Sequence, residues 1–245
     1  MKNVYSYDIH GIISVVSEGQ LPELEPFRVP AEIQQPTISV RFGTPPATPP
    51  PDTEHHHFLN YHEIFGHLGF EVGIEFNDQV KVIASPSLRL SPHVLYTNVV
   101  EPILRWTFVK KGYALVHGAT IAFGNEAYMI TARTDTGKTT TLLKILARQR
   151  RGDDRAAFIS DDMTIVAPDG MVLTYPKPMT ISAHTLRAVN SKTLTFMEKI
   201  ILPFQSRIHS RSGRKFAFLI SQTKMPAATI NMIVQMLVPP PKYYV

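Results

Sequence analysis

One stretch limits what this chain can fold into more than any other. The apolar run Ala127-Tyr128-Met129-Ile130-Thr131 leads into Ala132-Arg133-Thr134-Asp135-Thr136-Gly137-Lys138-Thr139-Thr140, and Thr141-Leu142-Leu143-Lys144-Ile145-Leu146 follows. That order predicts strand, loop and helix. The N–H groups in the first turn of such a helix have no acceptors within it and stand at the positive end of its dipole, so they attract an anion. Gly137 lets the backbone come close to a phosphate, Lys138 is placed to reach β/γ-phosphates, and the Thr139 hydroxyl to hold Mg²⁺. The stretch departs from G-x-x-x-x-G-K-[ST] only at its first position, where Ala132 stands for Gly. GK[ST] triplets are common by chance; the strand and helix flanks are what make this one specific. Ala132, Arg133, Thr134, Asp135, Thr136, Gly137, Lys138, Thr139 and Thr140 are therefore the expected nucleotide-binding residues.

Composition narrows the rest. The chain has 245 residues, room for one large domain or two small ones with a sizeable core. It has no cysteine, which excludes disulfides, thiolate zinc sites and cysteine nucleophiles. The formal charge of +5 is spread without a basic block, which reads as a solvated surface plus phosphate-binding cations rather than a nucleic-acid surface. The start, Met1-Lys2-Asn3-Val4-Tyr5, lacks the apolar core of a signal peptide, and no segment reaches the length of a membrane span. A cytoplasmic nucleotide-using protein is expected, with room for a homo-oligomer.

Along the chain, Tyr5 to Val16 reads as strand around a turn at Gly11, and Thr37 to Phe42 as another strand. Thr44-Pro45-Pro46-Ala47-Thr48-Pro49-Pro50-Pro51 can form neither helix nor central strand, so it is a linker or a long surface loop. Gly69–Phe76 and Gln79–Ala84 flank a short Asn77-Asp78 turn. Ser91-Pro92 opens a helix with Val99, Ile103, Leu104, Trp106 and Val109 as its apolar stripe, ended by Lys110-Lys111-Gly112. Ala114 to Phe123 reads as one strand, antiparallel to Ala127–Ala132 across a tight Gly124-Asn125-Glu126 turn. Ala156 to Ser160 is a buried-type strand, and Met163–Ala167 and Met171–Tyr175 form a hairpin around Asp169-Gly170. Helices are expected at 182–189 and 195–207, while 229–237 fits helix or strand.

Asp161-Asp162 closes a hydrophobic strand downstream of the phosphate loop, where nucleotide enzymes keep a metal ligand and a base. Successive residues of a strand face opposite ways, so the two carboxylates can serve different partners.

With those motifs in order, the chain resembles the catalytic domain of the HPr kinase/phosphorylase family. Leu115-Val116-His117-Gly118-Ala119, the phosphate loop and Ile159-Ser160-Asp161-Asp162 carry the likeness, which covers residues 95–175. It is similar also to the nucleotide core of ATP-dependent phosphoenolpyruvate carboxykinase, whose loop likewise reads T-G-K-T-T, as at Thr136 to Thr140. The resemblance implies an α/β fold: a P-loop domain of the HPr kinase/carboxykinase type with a mixed sheet at 91–245, and a β-rich N-terminal region at 1–90 with the proline-rich loop at 44–51. It implies ATP and Mg²⁺ as cofactors and a hydroxyl as phosphate acceptor, a protein serine among the candidates. It puts His117 near the transferred phosphate, Lys138 and Thr139 on phosphate and metal, Asp161 as catalytic base and Asp162 as metal ligand. Asp135 stands where HPr kinases keep Gly, and Tyr175-Pro176-Lys177-Pro178 lacks their protein-recognition signature.

Thr134 to Thr140 also resembles the T-D-x-G-K-[ST]-T loop of polynucleotide 5′-hydroxyl kinases, which lack the His117-Gly118 and Asp161-Asp162 equivalents. A sensor that binds ATP without transferring phosphate stays as a non-enzyme alternative. His55, His56, His57, His62 and His67 read as a polar surface loop, because three consecutive side chains cannot converge on one ion from a strand. Arg148, Arg150, Arg151 and Arg155 read as a solvated connection, and Arg207, Arg211, Arg214 and Lys215 as a basic loop able to close over a nucleotide.

Overall fold

The computed structural model describes residues 4–51, 57–65, 68–132, 136–149, 156–177, 229 and 232–233. These form a mixed α/β protein that is largely β, with few helices. The described residues group into two compact units, one reaching Leu104 and including Thr229, Met232 and Ile233, the other running from Arg105 to Lys177. No described helix is long and apolar enough to cross a membrane.

The first unit is built on a mixed sheet of seven strands in the order β3-β1-β2-β4-β7-β6-β5. They are β1 (Tyr5–Ile9), β2 (Ile13–Ser17), β3 (Arg28–Val29), β4 (Ile38–Phe42), β5 (Phe58–Phe65), β6 (Leu68–Phe76) and β7 (Val80–Ala84). β4 runs parallel to both β2 and β7, and the remaining pairs are antiparallel. Alternation sets the faces: Ile13 and Val15, Ile38 and Val40, Val80 and Val82 are all buried, while Ser14, Val16, Ser39 and Lys81 point the other way. Residues 44–51 prove to be a surface loop laid on the sheet. Asn60 Nδ2 donates to Pro46 O at 3.1 Å, and a Cβ on Gly73 would come within 2.9 Å of Pro46 Cδ.

β5 contains His62, which corrects the reading of the histidine-rich stretch as loop: Phe58 to Ile64 pairs along β6 as an edge strand. The three-in-a-row histidines masked an alternation that begins only after them. His55, His56 and His67 lie outside the described residues.

The helical run has three parts: α1 (Pro92–Leu95), a wide turn over Tyr96–Val100, and α2 (Glu101–Lys110). Pro102 has no N–H to give the carbonyl four residues back, and the turn before it widens so that Glu101 N–H bonds to Tyr96 O. The buried stripe is Tyr96, Val99, Val100, Ile103, Leu104, Thr107 and Phe108. Trp106 and Val109, expected in it, are exposed at 39% and 67%. A residue's side of a helix follows its position around the axis, not its hydropathy, and Trp106 instead stacks under the Lys110 ammonium at 4.6 Å.

α2 ends at Gly112, as expected. Tyr113 N–H bonds to Phe108 O and Gly112 N–H to Val109 O, with the Phe108 and Tyr113 rings 6.4 Å apart; this is the Schellman arrangement with its apolar contact. Gly112 has φ +81°, and a Cβ there would meet Pro168 Cγ at 3.3 Å. Gly112→Ala should therefore cost about 1–2 kcal/mol, lowering the melting midpoint about 2–4 °C for each kcal/mol. Gly112→Asn, which tolerates the left-handed region better, should recover part of it in the same thermal melt.

The second unit holds two three-stranded sheets, β10-β9-β11 and β13-β12-β8. The segment expected as one strand over 114–123 is two: β8 (Ala114–His117) and β9 (Ala119–Phe123) belong to different sheets, with Gly118 between them. β10 (Glu126–Ile130) returns antiparallel to β9 across Gly124-Asn125, Gly124 taking φ +59°. α3 (Lys138–Gln149) follows, then β11 (Ala156–Ser160), β12 (Met163–Val166) and β13 (Val172–Thr174). Leu142, Ile145 and Leu146, at the spacing of one helix face, pack on Ala119, Ile121, Phe123 and Phe158. The β12–β13 hairpin turns at Pro168-Asp169-Gly170, with Gly170 at φ +86° and Gly170 N–H bonded to Ala167 O. The expected helices at 182–189 and 195–207 lie outside the described residues; of 229–237, Thr229, Met232 and Ile233 are helical.

Candidate functional site

β9 lies between β10 and β11 and is antiparallel to both, so the strand that feeds the loop and the strand that carries the aspartates run parallel, one strand apart. α3 makes the crossover. The N-terminus of α3 and the C-terminal end of β11 therefore lie at the same end of the sheet, which is where α/β sheets place ligands.

Arg133, Thr134 and Asp135 lie outside the described residues, as do Arg150, Arg151, Arg155, Arg207, Arg211, Arg214 and Lys215. Thr136 and Gly137 lead directly into α3. Gly137 adopts φ +96° with nothing within 4 Å of a Cβ position, so the need for glycine here is conformational and the space beside it is open. Thr141 N–H to Gly137 O at 2.9 Å is an early helical bond, and the first-turn N–H groups point beyond the helix end. Lys138 Nζ donates to Ala132 O at 2.8 Å, tying the two ends of the loop.

The decisive contact is between Thr139 and Asp161. The Thr139 hydroxyl lies 2.9 Å from Asp161 Oδ2 and 3.1 Å from Oδ1. A bulge between Phe158 and Ser160 shifts β11 against β9 just before this residue. Ser160 turns into the interior, where its Oγ accepts Tyr175 N–H at 2.8 Å. Asp161 is 6% exposed. Burial holds its carboxyl above the usual carboxylate range; the Thr139 hydrogen bond opposes this, the Asp162 charge adds to it, and the Asp162 N–H and Lys138 counter it.

Asp162 has φ +76°, unusual outside glycine. Its carbonyl accepts Gly118 N–H at 3.1 Å. Its carboxylate faces away from the interior between two cationic or potentially cationic groups: His117 Nδ1 stands 3.1 Å from Oδ1 and Lys177 Nζ 3.0 Å from Oδ2. The Asp162 and His117 side chains are 42% and 40% exposed, whereas Lys177 is 12% exposed.

The structure thus brings His117, Lys138, Thr139, Asp161 and Asp162 to one end of the second unit. It also adds Lys177, which carries no motif of its own inside Tyr175-Pro176-Lys177-Pro178. The signal was present in the hairpin: with Thr164 opposite Thr174, the chain leaving β13 returns to the level of Asp162. The geometry pairs the Thr139 hydroxyl with Asp161, where the resemblance gave Asp162 to the metal.

Thr139 Oγ1 and the Asp161 carboxylate are hard oxygen donors. A buried carboxylate disfavoured as an anion is stabilised by a cation, and Mg²⁺ takes few protein ligands, completing its shell from phosphate and water; the residues present fit that ion. Among the described residues no three His, Asp or Glu side chains gather as a metal site, His57 and His62 included. A cavity of about 550 Å³ lies in the first unit between the sheet and Pro46 and Pro50, and none of its lining residues belongs to this site.

No protein-family model, curated protein or solved structure matches the chain.

Proposed function

We propose that the second unit is a P-loop domain of the HPr kinase/carboxykinase type, binding Mg-ATP and transferring the γ-phosphate to a hydroxyl. The observation that carries this is the 2.9 Å bond from the Thr139 hydroxyl to Asp161. It joins the first turn of the helix after a GKT loop to the acidic end of a strand parallel to the loop strand, the arrangement that holds Mg²⁺ against nucleotide phosphates.

The roles follow exposure. Asp161, buried and bonded to Thr139, belongs to the metal side together with that threonine. Asp162, whose side chain is 42% exposed against 6% for Asp161 as a whole residue, is the carboxylate an incoming acceptor can meet, and is the proposed base. Lys138 supplies the cation for the β/γ-phosphates, and the first turn of α3 supplies N–H donors. Bound Mg²⁺ neutralises charge on the phosphates. In the transfer, Asp162 accepts the acceptor's hydroxyl proton, the acceptor oxygen bonds to the γ-phosphorus, and the bond to the β-phosphate oxygen breaks to release ADP. His117, bonded to Asp162, orients it at the mouth of the site. Positioning and charge do the catalysis.

The test is calorimetry with Mg-ATP, followed by γ-labelled ATP offered with cell extract and with a 5′-hydroxyl oligonucleotide. Wild type should bind Mg-ATP, and Lys138→Ala should bind about 10- to 100-fold more weakly, the loss of one charge-assisted contact. Label should enter a protein or small hydroxyl compound and not the oligonucleotide. Equal binding by wild type and Lys138→Ala sinks the reading. Oligonucleotide labelling that Asp135→Gly abolishes would convert it to a polynucleotide kinase.

A further inference from the structure

We infer that Lys177 is a positioning residue that keeps the two adjacent carboxylates in separate roles, holding Asp162 on the acceptor side and away from the metal side. The inference rests on the reading of the site as a phosphoryl-transfer centre.

Two neighbouring aspartates in one site have an inherent difficulty. Both are attracted by the same cations. A base drawn onto the metal would lose its reach to the acceptor. The strand alternation that separates such a pair is weakened here, because Asp162 leaves the extended region for φ +76°. Something other than strand geometry must therefore fix where its carboxylate points.

The sheet β13-β12-β8 supplies it from both sides. β12 begins just after Asp162, with β8 on one flank ending in His117 and β13 on the other leading to Lys177. His117 contacts Oδ1 and Lys177 Oδ2. The two contacts differ in kind. His117 is 40% exposed and carries charge only when protonated. Lys177 is 12% exposed and carries a full positive charge 3.0 Å from its partner. The pair is buried at its lysine end and half-exposed at its aspartate end, and an ammonium held largely out of water is costly to leave without its counter-charge. The backbone around Lys177 is tied as well: its N–H bonds to Tyr175 O at 2.7 Å, and Tyr175 N–H is anchored on buried Ser160, the residue before Asp161. The lysine is thus mounted on the same short strand end that carries the two aspartates.

The experiment compares wild type, Lys177→Met and Lys177→Arg by Mg-ATP calorimetry, by steady-state transfer of labelled phosphate, and by hydrogen exchange of the Gly118 amide, which is bonded to Asp162 O. Lys177→Met should lower kcat by about 10- to 100-fold, the range seen for outer-shell partners. Its Mg-ATP affinity should stay within about twofold, and its Gly118 protection should fall about tenfold or more as Asp162 leaves its held position. Lys177→Arg should restore most of kcat and the protection. A kcat unchanged in Lys177→Met overturns the inference alone, because wild-type turnover still supports the kinase reading. Loss of Mg-ATP affinity in parallel with kcat, not rescued by Arg, assigns Lys177 a merely structural role and also overturns it. Wild type without Mg-ATP binding removes the kinase reading first, and the assignment of Lys177 with it.

Discussion

Asp162→Asn should leave Mg-ATP bound while phosphoryl transfer falls by about 10² to 10⁴, the usual worth of a general base. Three features suit the substitution as a probe of the base, and it also removes the charge paired with Lys177. Asparagine tolerates the left-handed backbone that Asp162 occupies at φ +76°. The carbonyl that accepts Gly118 N–H is unchanged. The amide keeps an oxygen for one of the two partners, His117 or Lys177, but has no basic site for the acceptor's proton. Titration calorimetry for Mg-ATP beside single-turnover transfer separates binding from chemistry. Equal transfer rates would place the base elsewhere.

Asp161→Asn should act in two opposite directions. Without Mg²⁺, the variant should be more stable than wild type at neutral pH, because the folded chain holds this carboxyl above its usual range and ionising it there costs free energy. The sign follows from proton counts. Below the usual carboxylate range both folded and unfolded chains carry the proton, and the residue contributes nothing. As pH rises from that range through the raised folded value, the unfolded chain loses the proton first, so wild type loses stability over that window and keeps the penalty above it. The advantage of Asp161→Asn should therefore be present at pH 7, about 2–4 °C in melting midpoint for each kcal/mol relieved, and should vanish on acidification below the usual range. With Mg-ATP present the order should reverse: wild type gains stability by binding, while the variant binds Mg²⁺ weakly and transfers phosphate poorly. A variant no more stable than wild type at pH 7 without Mg²⁺ would show that Thr139 and Lys138 already compensate the buried charge.

The elements most legible in the sequence were those with punctuation of their own. Gly112 ended α2, Asp169-Gly170 turned the β12–β13 hairpin, and Gly124 turned β9 into β10, each because a positive φ was required there. Strands with a plain alternation or an apolar run, such as β4 and β11, were legible too, but several elements without marks were not. Nothing between Leu115 and Ala119 signals that the chain changes sheets, because Gly118 is needed for room rather than for φ: a Cβ would lie 2.9 Å from Met129 Cγ and 3.2 Å from Ile130 O. β5 was hidden behind the histidine run that precedes it. The outward turn of Trp106 follows from counting round the helix rather than from its hydropathy. At the site, the order of His117, the GKT loop and the aspartate pair was readable, because each sits at an element's end. Which aspartate meets Thr139 was not, since that depends on the bulge at Phe158–Ser160 and on the φ of Asp162.

The chain crosses between its two small sheets twice, through one residue at Gly118 and through two at Asp161-Asp162, and buried Thr120 and Thr164, 2.7 Å apart through their hydroxyls, stitch the sheets just beyond both crossings. This has an evolutionary consequence. The hairpin tip at Pro168–Gly170 can lengthen freely, since the strands it joins keep their register. An insertion or deletion of one residue at either crossing would turn every side chain of the following strand to its opposite face, exposing Ile121 or Ile165 and pulling the acidic pair out of line with the loop. Among divergent descendants of this chain, the spacing from His117 to Ala119 and from Ser160 to Met163 should stay constant even where the residues flanking them, and the length of nearly every other connection, have drifted.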